Sequence, residues 1–169
     1  PKGRDTLAGH EHLLLGEVPS LTLSEVAQRA GTSLEMARKF WRAMGFADVE
    51  PDAVHFTQQD VDALRDTATL LGETCDSALA SASVLELLRA QSYTMDRLVL
   101  WELETFVTDL GERLDLDDTS ARLVALDRID GLVDLLSRQL TYVWRRHMAS
   151  ILGRTDAEVS ARGREDTGP

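Results

Sequence analysis

The chain has 169 residues, of which 43% are hydrophobic and 28% are charged. These proportions are those of an ordinary globular domain that buries a core. The formal net charge of −11 argues against nucleic acid as a partner, because duplex DNA is bound mainly through cationic side chains. A single cysteine, Cys75, excludes an internal disulfide framework. We expect a cytoplasmic protein, since neither a signal peptide nor an apolar run of about 18 residues occurs.

The first 72 residues predict short helices and turns. Residues 1–20 are expected to form a lead-in with one helix over residues 7–16. Residues 21–72 then predict a helix-turn-helix module, because two capping-box patterns are each followed by a glycine stop. These patterns are Thr22 with Glu25 before Gly31, and Thr32 with Glu35 before Gly45. The next stretch, ADVEPDAVHF, predicts a loop or a small wing hairpin, and a further helix is expected from Thr57 to Gly72.

The rest of the chain predicts longer helices. Residues 73–152 are interpreted as a helical dimerisation and regulatory region, and residues 153–169 as a polar linker. One helical pattern runs from about Ser120 to Leu152, with Gly131 as a possible kink. A seam of period 3.5 within it predicts packing against a partner helix. The seam residues are Ile129, Val133, Leu136, Leu140, Val143, His147 and Ser150, and the stripe is widened by Leu132, Leu135, Trp144, Met148 and Ile151.

This apolar helix has to be covered by another helix or another subunit, and we expect a two-fold homodimer. The fold class predicted is therefore all-α. The start at Pro1 and the polar tail suggest a segment cut from a longer protein.

Motifs for catalysis are missing from the sequence. It contains no glycine-rich phosphate loop, no nucleophile elbow and no metal-binding histidine pair with a third ligand. His10 and His12 are two residues apart, which is a poor metal geometry on a helix. We therefore expect no catalytic residue, no metal site and no enzyme activity in this chain.

The module at residues 21–72 resembles the winged helix-turn-helix of MerR-type regulators. The resemblance rests on LTLSEVAQRAGTSLEMARKFWRAMGF, followed by VHFTQQDVDALRDTATLL. It implies that the second helix offers Arg38, Lys39 and Arg42 to DNA, with His55 in the wing. The alternative is a module that packs against other protein elements. A DNA-binding regulator with a helical dimerisation region is thus a second hypothesis for the function.

A second resemblance runs from about His12 to Leu152. The stretch HLLLGEVPSLTLSEVAQRAGTSLEMARKFWRAMGFADVEPDAVHF, the small-residue helix after it and the terminal WRRHMASIL resemble the N-terminal regulatory region of actinobacterial class III adenylyl cyclases. The resemblance implies a helical dimer with exchanged segments, placed before a catalytic domain that it restrains. It also implies that acid relieves the restraint and that an apolar channel holds a fatty acid, with no other cofactor.

His147 is the candidate for a pH switch. It lies on the heptad seam, and the resemblance places it, with Arg146 and Met148, at the junction with the catalytic domain. Histidine changes its charge near physiological pH, and a charge gained in an apolar seam is costly. The fatty-acid candidates are chosen as apolar lining or as a carboxylate partner, and each is also interpreted as dimer core. They are Trp101, Phe106, Tyr142, Trp144, Arg97 and Arg145.

Overall fold

The computed structural model describes residues 14–72 and 79–165, and within them the fold is all-α, as predicted. The described helices are α1 (Leu23–Ala30), α2 (Leu34–Ala43), α3 (Gln58–Leu71), α4 (Ser81–Leu114), α5 (Asp118–Arg128) and α6 (Asp130–Glu165). Most of the helix expected over residues 7–16 lies outside this range, as does Cys75. The chain divides into two compact units, Pro1–Ala125 and Leu126–Pro169, and this boundary differs from those expected after residues 72 and 152.

Capping interactions determine where α1 begins and ends. The hydroxyl of Thr22 accepts a hydrogen bond from the Glu25 backbone N–H at 3.2 Å, and the Glu25 carboxylate accepts one from the Thr22 N–H at 2.8 Å. This confirms the predicted capping box. The hydrogen bond from the Thr22 backbone also lowers the pKa of Glu25. Gly31 ends the helix with a φ of 72°, a left-handed conformation that glycine adopts without the penalty of a Cβ atom.

The N-terminal cap of α2 lies one residue later than predicted. Ser33, not Thr32, caps α2, and its hydroxyl accepts a hydrogen bond from the Met36 N–H at 3.1 Å. The backbone N–H of Thr32 instead donates to the Ala27 carbonyl at 3.0 Å and so helps to close α1. Because Thr32 belongs to the end of the first helix, it cannot also begin the second. Gly45 follows the last turn of α2 with a φ of 82°, as expected of a stop.

The N-terminal core forms where α1, α2 and α3 meet. Its fully enclosed side chains include Phe56, Val61 and Leu64, and Leu88 of α4 packs against its edge. The predicted wing is reduced, within the described residues, to one isolated antiparallel bridge between Leu21 and Phe56. That bridge brings the chain back across the start of α1 before α3 begins.

A second, smaller core joins the C-terminal half of α4 to α5. Val107 and Leu110 pack against Ala121 and Ala125, and the small alanine side chains allow the two helices to approach closely. Phe106 packs against the same cluster. Each core therefore lies at one end of α4, the long helix that connects them.

An ion pair adds to the contact between α4 and α5. Both terminal nitrogens of Arg122 donate to the Glu104 carboxylate, at 2.7 and 2.9 Å. Nε of Arg122 donates to Asp118 at 2.9 Å. The hydrogen bonds from Arg122 lower the pKa of Glu104, so this pair persists well into the acid range.

The prediction of one continuous helix from Ser120 to Leu152 is wrong at Ile129. Helix α5 ends at Arg128 and α6 begins at Asp130, directly before Gly131. Glycine costs about 1 kcal/mol in a helix interior, which weakens the helix at this point. Helix α6 then continues through part of the expected linker as far as Glu165. No helix in residues 14–72 and 79–165 is long and apolar enough to cross a membrane.

The second core can be tested with two leucines. Leu110 is 0% exposed and Leu123 is 64% exposed. We expect Leu110→Ala to lower the free energy of unfolding by about 2–5 kcal/mol, because it leaves a cavity. Leu123→Ala removes the same atoms from the surface, and a change of about 0.5 kcal/mol or less is expected. Urea unfolding of both variants, followed by circular dichroism at one protein concentration, measures this difference. Equal losses would contradict the placement of Leu110.

Candidate functional site

Two of the three cations expected to read DNA are already paired within the protein. Nε and Nη2 of Arg42 donate to the two carboxylate oxygens of Asp48, at 2.6 and 2.7 Å. The hydrogen bonds from Arg42 lower the pKa of Asp48, which stays ionised through the neutral and mildly acid range. Nζ of Lys39 lies 2.7 Å from the Glu35 carboxylate, one turn earlier on α2. Neither cation is therefore free to neutralise a phosphate without losing its own partner.

Helix α4 covers the C-terminal end of α2. The hydroxyl of Ser92 donates a hydrogen bond to the Met44 carbonyl, directly after α2 ends. A recognition helix has to enter a major groove about 12 Å wide, which leaves little room for a second helix beside it. The second helix of the predicted module is thus engaged in packing within the chain, as the protein-packing alternative supposed.

His55 belongs to an aromatic group rather than to a row of cations. Its ring meets the indole of Trp41 edge-on at 5.7 Å, and Trp41 also packs against Phe46 at 4.6 Å. The indole N–H donates to the Ala47 carbonyl at 2.8 Å, which fixes the ring between α2 and the loop after it. His55 and Phe46 themselves remain exposed.

Arg38 lines a small cavity beside this group. The cavity measures about 170 Å³ and is bounded by Leu23, Arg38, Trp41, Arg42, Asp48, Val49, Glu50 and Pro51. Sites that hold drug-sized ligands usually measure about 300–1,000 Å³. A space of this size suits a few water molecules and does not hold a fatty acid.

The fatty-acid candidates fall into three groups. Arg97 and Trp101 lie one turn apart on α4, and both are exposed. A guanidinium N–H of Arg97 donates to the Tyr93 hydroxyl at 3.2 Å, which holds the cation in place while other N–H groups stay available. Phe106 is separated from them, because it packs into the second core.

The remaining candidates lie on α6. Tyr142, Trp144 and Arg145 are within one turn of each other and are exposed. They are described within the unit Leu126–Pro169, whereas Arg97 and Trp101 belong to the unit Pro1–Ala125. The structure therefore groups the candidates by helix, with Arg97, Trp101 and Phe106 on α4 and the other three on α6.

His147 stands in the middle of α6 with its side chain exposed. Val143 precedes it and Ile151 follows it by one turn, and both are also exposed, at 40% and 50%. The seam predicted from the sequence is thus a continuous surface of α6 that water contacts in a single chain. A change of charge at His147 affects packing only where another surface covers this seam.

Two of the ion pairs described above were not predicted from the sequence. The Arg42–Asp48 pair spans six residues across a turn, and the Glu104–Arg122 pair joins two helices, so neither has a helical spacing. The Asp118–Arg122 and Glu35–Lys39 pairs, by contrast, have the i, i+4 spacing that can be recognised in a sequence. Within residues 14–72 and 79–165, no group of three or more histidine, cysteine or acidic side chains could hold a metal ion.

Comparison with known proteins gives one consistent result. No family profile matches the chain. The chain is 34% identical over 173 residues to an adenylate cyclase of Glutamicibacter nicotianae, covering 98% of the chain and 42% of the relative. It is 37% identical over 153 residues to an adenylate cyclase of Streptomyces coelicolor, covering 90% of the chain and 39% of the relative. An adenylate cyclase of Streptomyces griseus is 34% identical over 144 residues, which cover 85% of the chain and 35% of the relative.

The chain spans about two fifths of the length of these relatives. The similarity extends over nearly all of the chain and is not confined to one short motif. The chain is therefore homologous to a part of actinobacterial adenylate cyclases.

Proposed function

We propose that this chain is the regulatory domain of a class III adenylyl cyclase that acts in the cytoplasm as a homodimer. In this function it restrains a catalytic domain that follows it, acid relieves the restraint, and the domain also responds to a bound fatty acid. The observation that carries the proposal is the extent of the similarity. Nearly the whole chain aligns with adenylate cyclases, yet it accounts for only 35–42% of their length, which leaves room for a separate catalytic domain.

The dimer is supported by the surface of α6. Between Leu132 and Leu152 the apolar residues of α6 do not repeat with a single period of 3.6 residues. They therefore occur on every side of the helix. Many of them are strongly exposed in the single chain, among them Leu135, Tyr142, Trp144, Ile151 and Leu152. A helix that is hydrophobic all round is stable in water only when other elements surround it. A second copy provides such elements, and closed two-fold dimers are the commonest oligomers.

The acid response is assigned to His147 because the carboxylates with shifted pKa values respond at lower pH. Hydrogen bonds lower the pKa of Asp48 and Glu104 below 3.8 and 4.5. A carboxylate with a depressed pKa stabilises the fold above its unfolded pKa, and this contribution is lost only as pH falls through the folded value. Mild acid leaves these pairs intact, whereas a histidine gains its charge in that range.

The mechanism proposed for the switch follows from the cost of charge in an apolar contact. At neutral pH the uncharged His147 packs in the seam of α6 against the dimer partner. On acidification it gains a proton, and an unpaired charge in that contact is costly, so the contact weakens. The end of α6 is then released and the catalytic domains can pair productively.

Two histidine variants test the switch. In the complete cyclase, we expect His147→Leu to flatten the rise of activity on acidification, because leucine keeps the seam apolar at every pH. His55→Leu changes the same residue type on the N-terminal module, and it should keep the parental pH profile. Cyclase activity of both variants is measured from neutral to mildly acid pH. An unchanged acid response in His147→Leu would refute the assignment.

Native mass spectrometry tests the fatty acid. Protein purified without delipidation should carry an added mass of one fatty acid per chain, and this mass should disappear on delipidation. We expect Arg97→Leu to reduce the occupancy, because the guanidinium held by Tyr93 is a partner for a carboxylate. Arg89→Leu, two turns earlier on α4, serves as the matched control. Absence of any such mass in undelipidated protein would count against the ligand.

A DNA-binding assay distinguishes the proposed regulatory domain from the DNA-binding regulator. A regulator would bind duplex DNA tightly at low salt and lose affinity steeply as salt increases. Because Lys39 and Arg42 are paired with carboxylates, we expect no such binding by this chain at moderate salt. Fluorescence anisotropy with a labelled random duplex, measured over a salt series, distinguishes the two. Tight, salt-sensitive binding would favour the regulator.

A further inference from the structure

Helix α4 carries an apolar stripe that is covered at both ends and open in the middle. Its members recur at steps of three and four residues and so lie on one side of the helix. They are Val84, Leu88, Ser92, Met95, Val99, Leu103, Phe106 and Leu110. Val84 is 1% exposed, and the N-terminal module contacts Leu88 and Ser92, whereas α5 covers Leu103, Phe106 and Leu110. Between them, Met95 and Val99 are 39% and 53% exposed.

The open part of the stripe has the width of one helix. Ser92 and Leu103 are about 16 Å apart along α4, at about 1.5 Å per residue. An α-helix with its side chains is about 10–12 Å across, and packed helices lie about 8–10 Å apart. Because both neighbouring elements contact the same side of α4, the interval between them is a slot with an apolar floor. We call it the α4 slot, with Met95 and Val99 as its floor.

Negative charge borders the α4 slot on both sides. At about 100° per residue, Asp96 lies roughly 80° to one side of the line through Met95 and Val99, and Glu102 lies roughly 40° to the other side. Neither carboxylate makes a hydrogen bond or an ion pair with any residue in the described part of the chain. The slot is therefore suited to an apolar helix that carries cations along both edges.

Helix α6 has such a surface. Trp144, Met148 and Ile151 follow steps of four and three residues and are 57%, 40% and 50% exposed. Arg145 lies on one side of this row and Arg154 on the other. Neither arginine has an ion pair within the described residues. No acidic residue occurs between Asp134 and Asp156, so this stretch of α6 is cationic in a chain of net charge −11.

We propose that the α4 slot of one copy receives the Trp144–Met148–Ile151 row of a second copy's α6. The two-fold arrangement repeats the contact, so that each copy offers one slot and one row. The apolar residues are removed from water, and Asp96 and Glu102 face the cationic edges of the incoming helix. This contact rests on the homodimer of the proposed function and specifies which surfaces form it.

Charge reversal on the two surfaces tests the contact. One variant carries Asp96→Lys and Glu102→Lys, and the other carries Arg145→Glu and Arg154→Glu. In either variant alone, like charges meet at both contacts of the dimer, and we expect self-association to weaken at least about tenfold. When the two variants are mixed, a dimer that contains one copy of each joins opposite charges at both of its contacts. Native mass spectrometry should then show dimers that contain one copy of each variant.

Two controls distinguish this contact from general charge effects. Arg146→Glu with Arg164→Glu changes the net charge by the same amount on the side of α6 opposite the row, and its dimer should stay as tight as the parent's. The chain with all four slot and row reversals should dimerise like the parent, which shows that the reversals are compatible with folding. Circular dichroism of each variant confirms that its helix content is retained.

The remaining outcomes separate this inference from the proposed function. If the parent is a dimer and both reversal variants remain equally tight dimers, the contact is wrong and the homodimer stands. If the variants weaken but mixing does not restore dimers, the contact does not join two copies and the inference is overturned. A parent chain that is monomeric at every accessible concentration overturns the homodimer and the contact together.

Discussion

The fold depends on one long helix, α4, which within residues 14–72 and 79–165 packs against other elements near its two ends. Helix α4 has 34 residues and is about 51 Å long at 1.5 Å per residue. The N-terminal module packs on its first third and α5 packs on its last third, and each contact closes a small core. Residues 93–101 between the cores are exposed, apart from the half-buried Leu98. A helix with apolar residues on several sides is not expected to remain uncovered in water, and the proposed dimer supplies a cover for it.

Helix α6 is subject to the same constraint over a longer distance. The heptad seam accounts for only one side of it, and a two-stranded coiled coil through that seam would leave Tyr142 and Leu152 in water. More than one neighbouring element is needed to cover the helix. This requirement favours an interleaved dimer, in which the copies exchange helices, over two compact domains that touch along one seam.

The N-terminal module illustrates how a fold can be separated from a function commonly associated with it. Its short helices and caps agree with the pattern of a DNA-reading head, yet internal carboxylates neutralise Lys39 and Arg42. In addition, α4 is bonded to the end of α2 through Ser92. The hydrogen bond from Ser92 and the packing of Leu88 also make the module a support for α4. The module is better understood as the base that holds one end of the long helix.

Local chemistry explains what the sequence could and could not predict. The capping box at Thr22 and the stop at Gly31 were predicted correctly, because both depend on residues within one helical turn. The cap of α2 was misplaced by one residue, because Thr32 and Ser33 are chemically equivalent caps until the end of α1 selects between them. The Arg42–Asp48 and Glu104–Arg122 pairs depend on tertiary placement and carry no periodic signal. The sequence also could not predict that the middle of α4 is uncovered, because the apolar stripe has the same pattern whether or not a neighbouring element packs on it.

In the proposed switch, the exposure of His147 on α6 makes its response to protons depend on assembly. On a lone helix in water, a histidine can gain a proton without any effect on packing, because water solvates both forms. A seam covered by a partner makes the charged form costly, so the proposed response to acid depends on the proposed dimer. By linkage, if covering the seam disfavours the protonated form of His147, then protonation of His147 disfavours the covered state to the same extent. In the proposed switch, the apolar surface of α6 drives the contact between copies, and protonation of His147 within that surface weakens it.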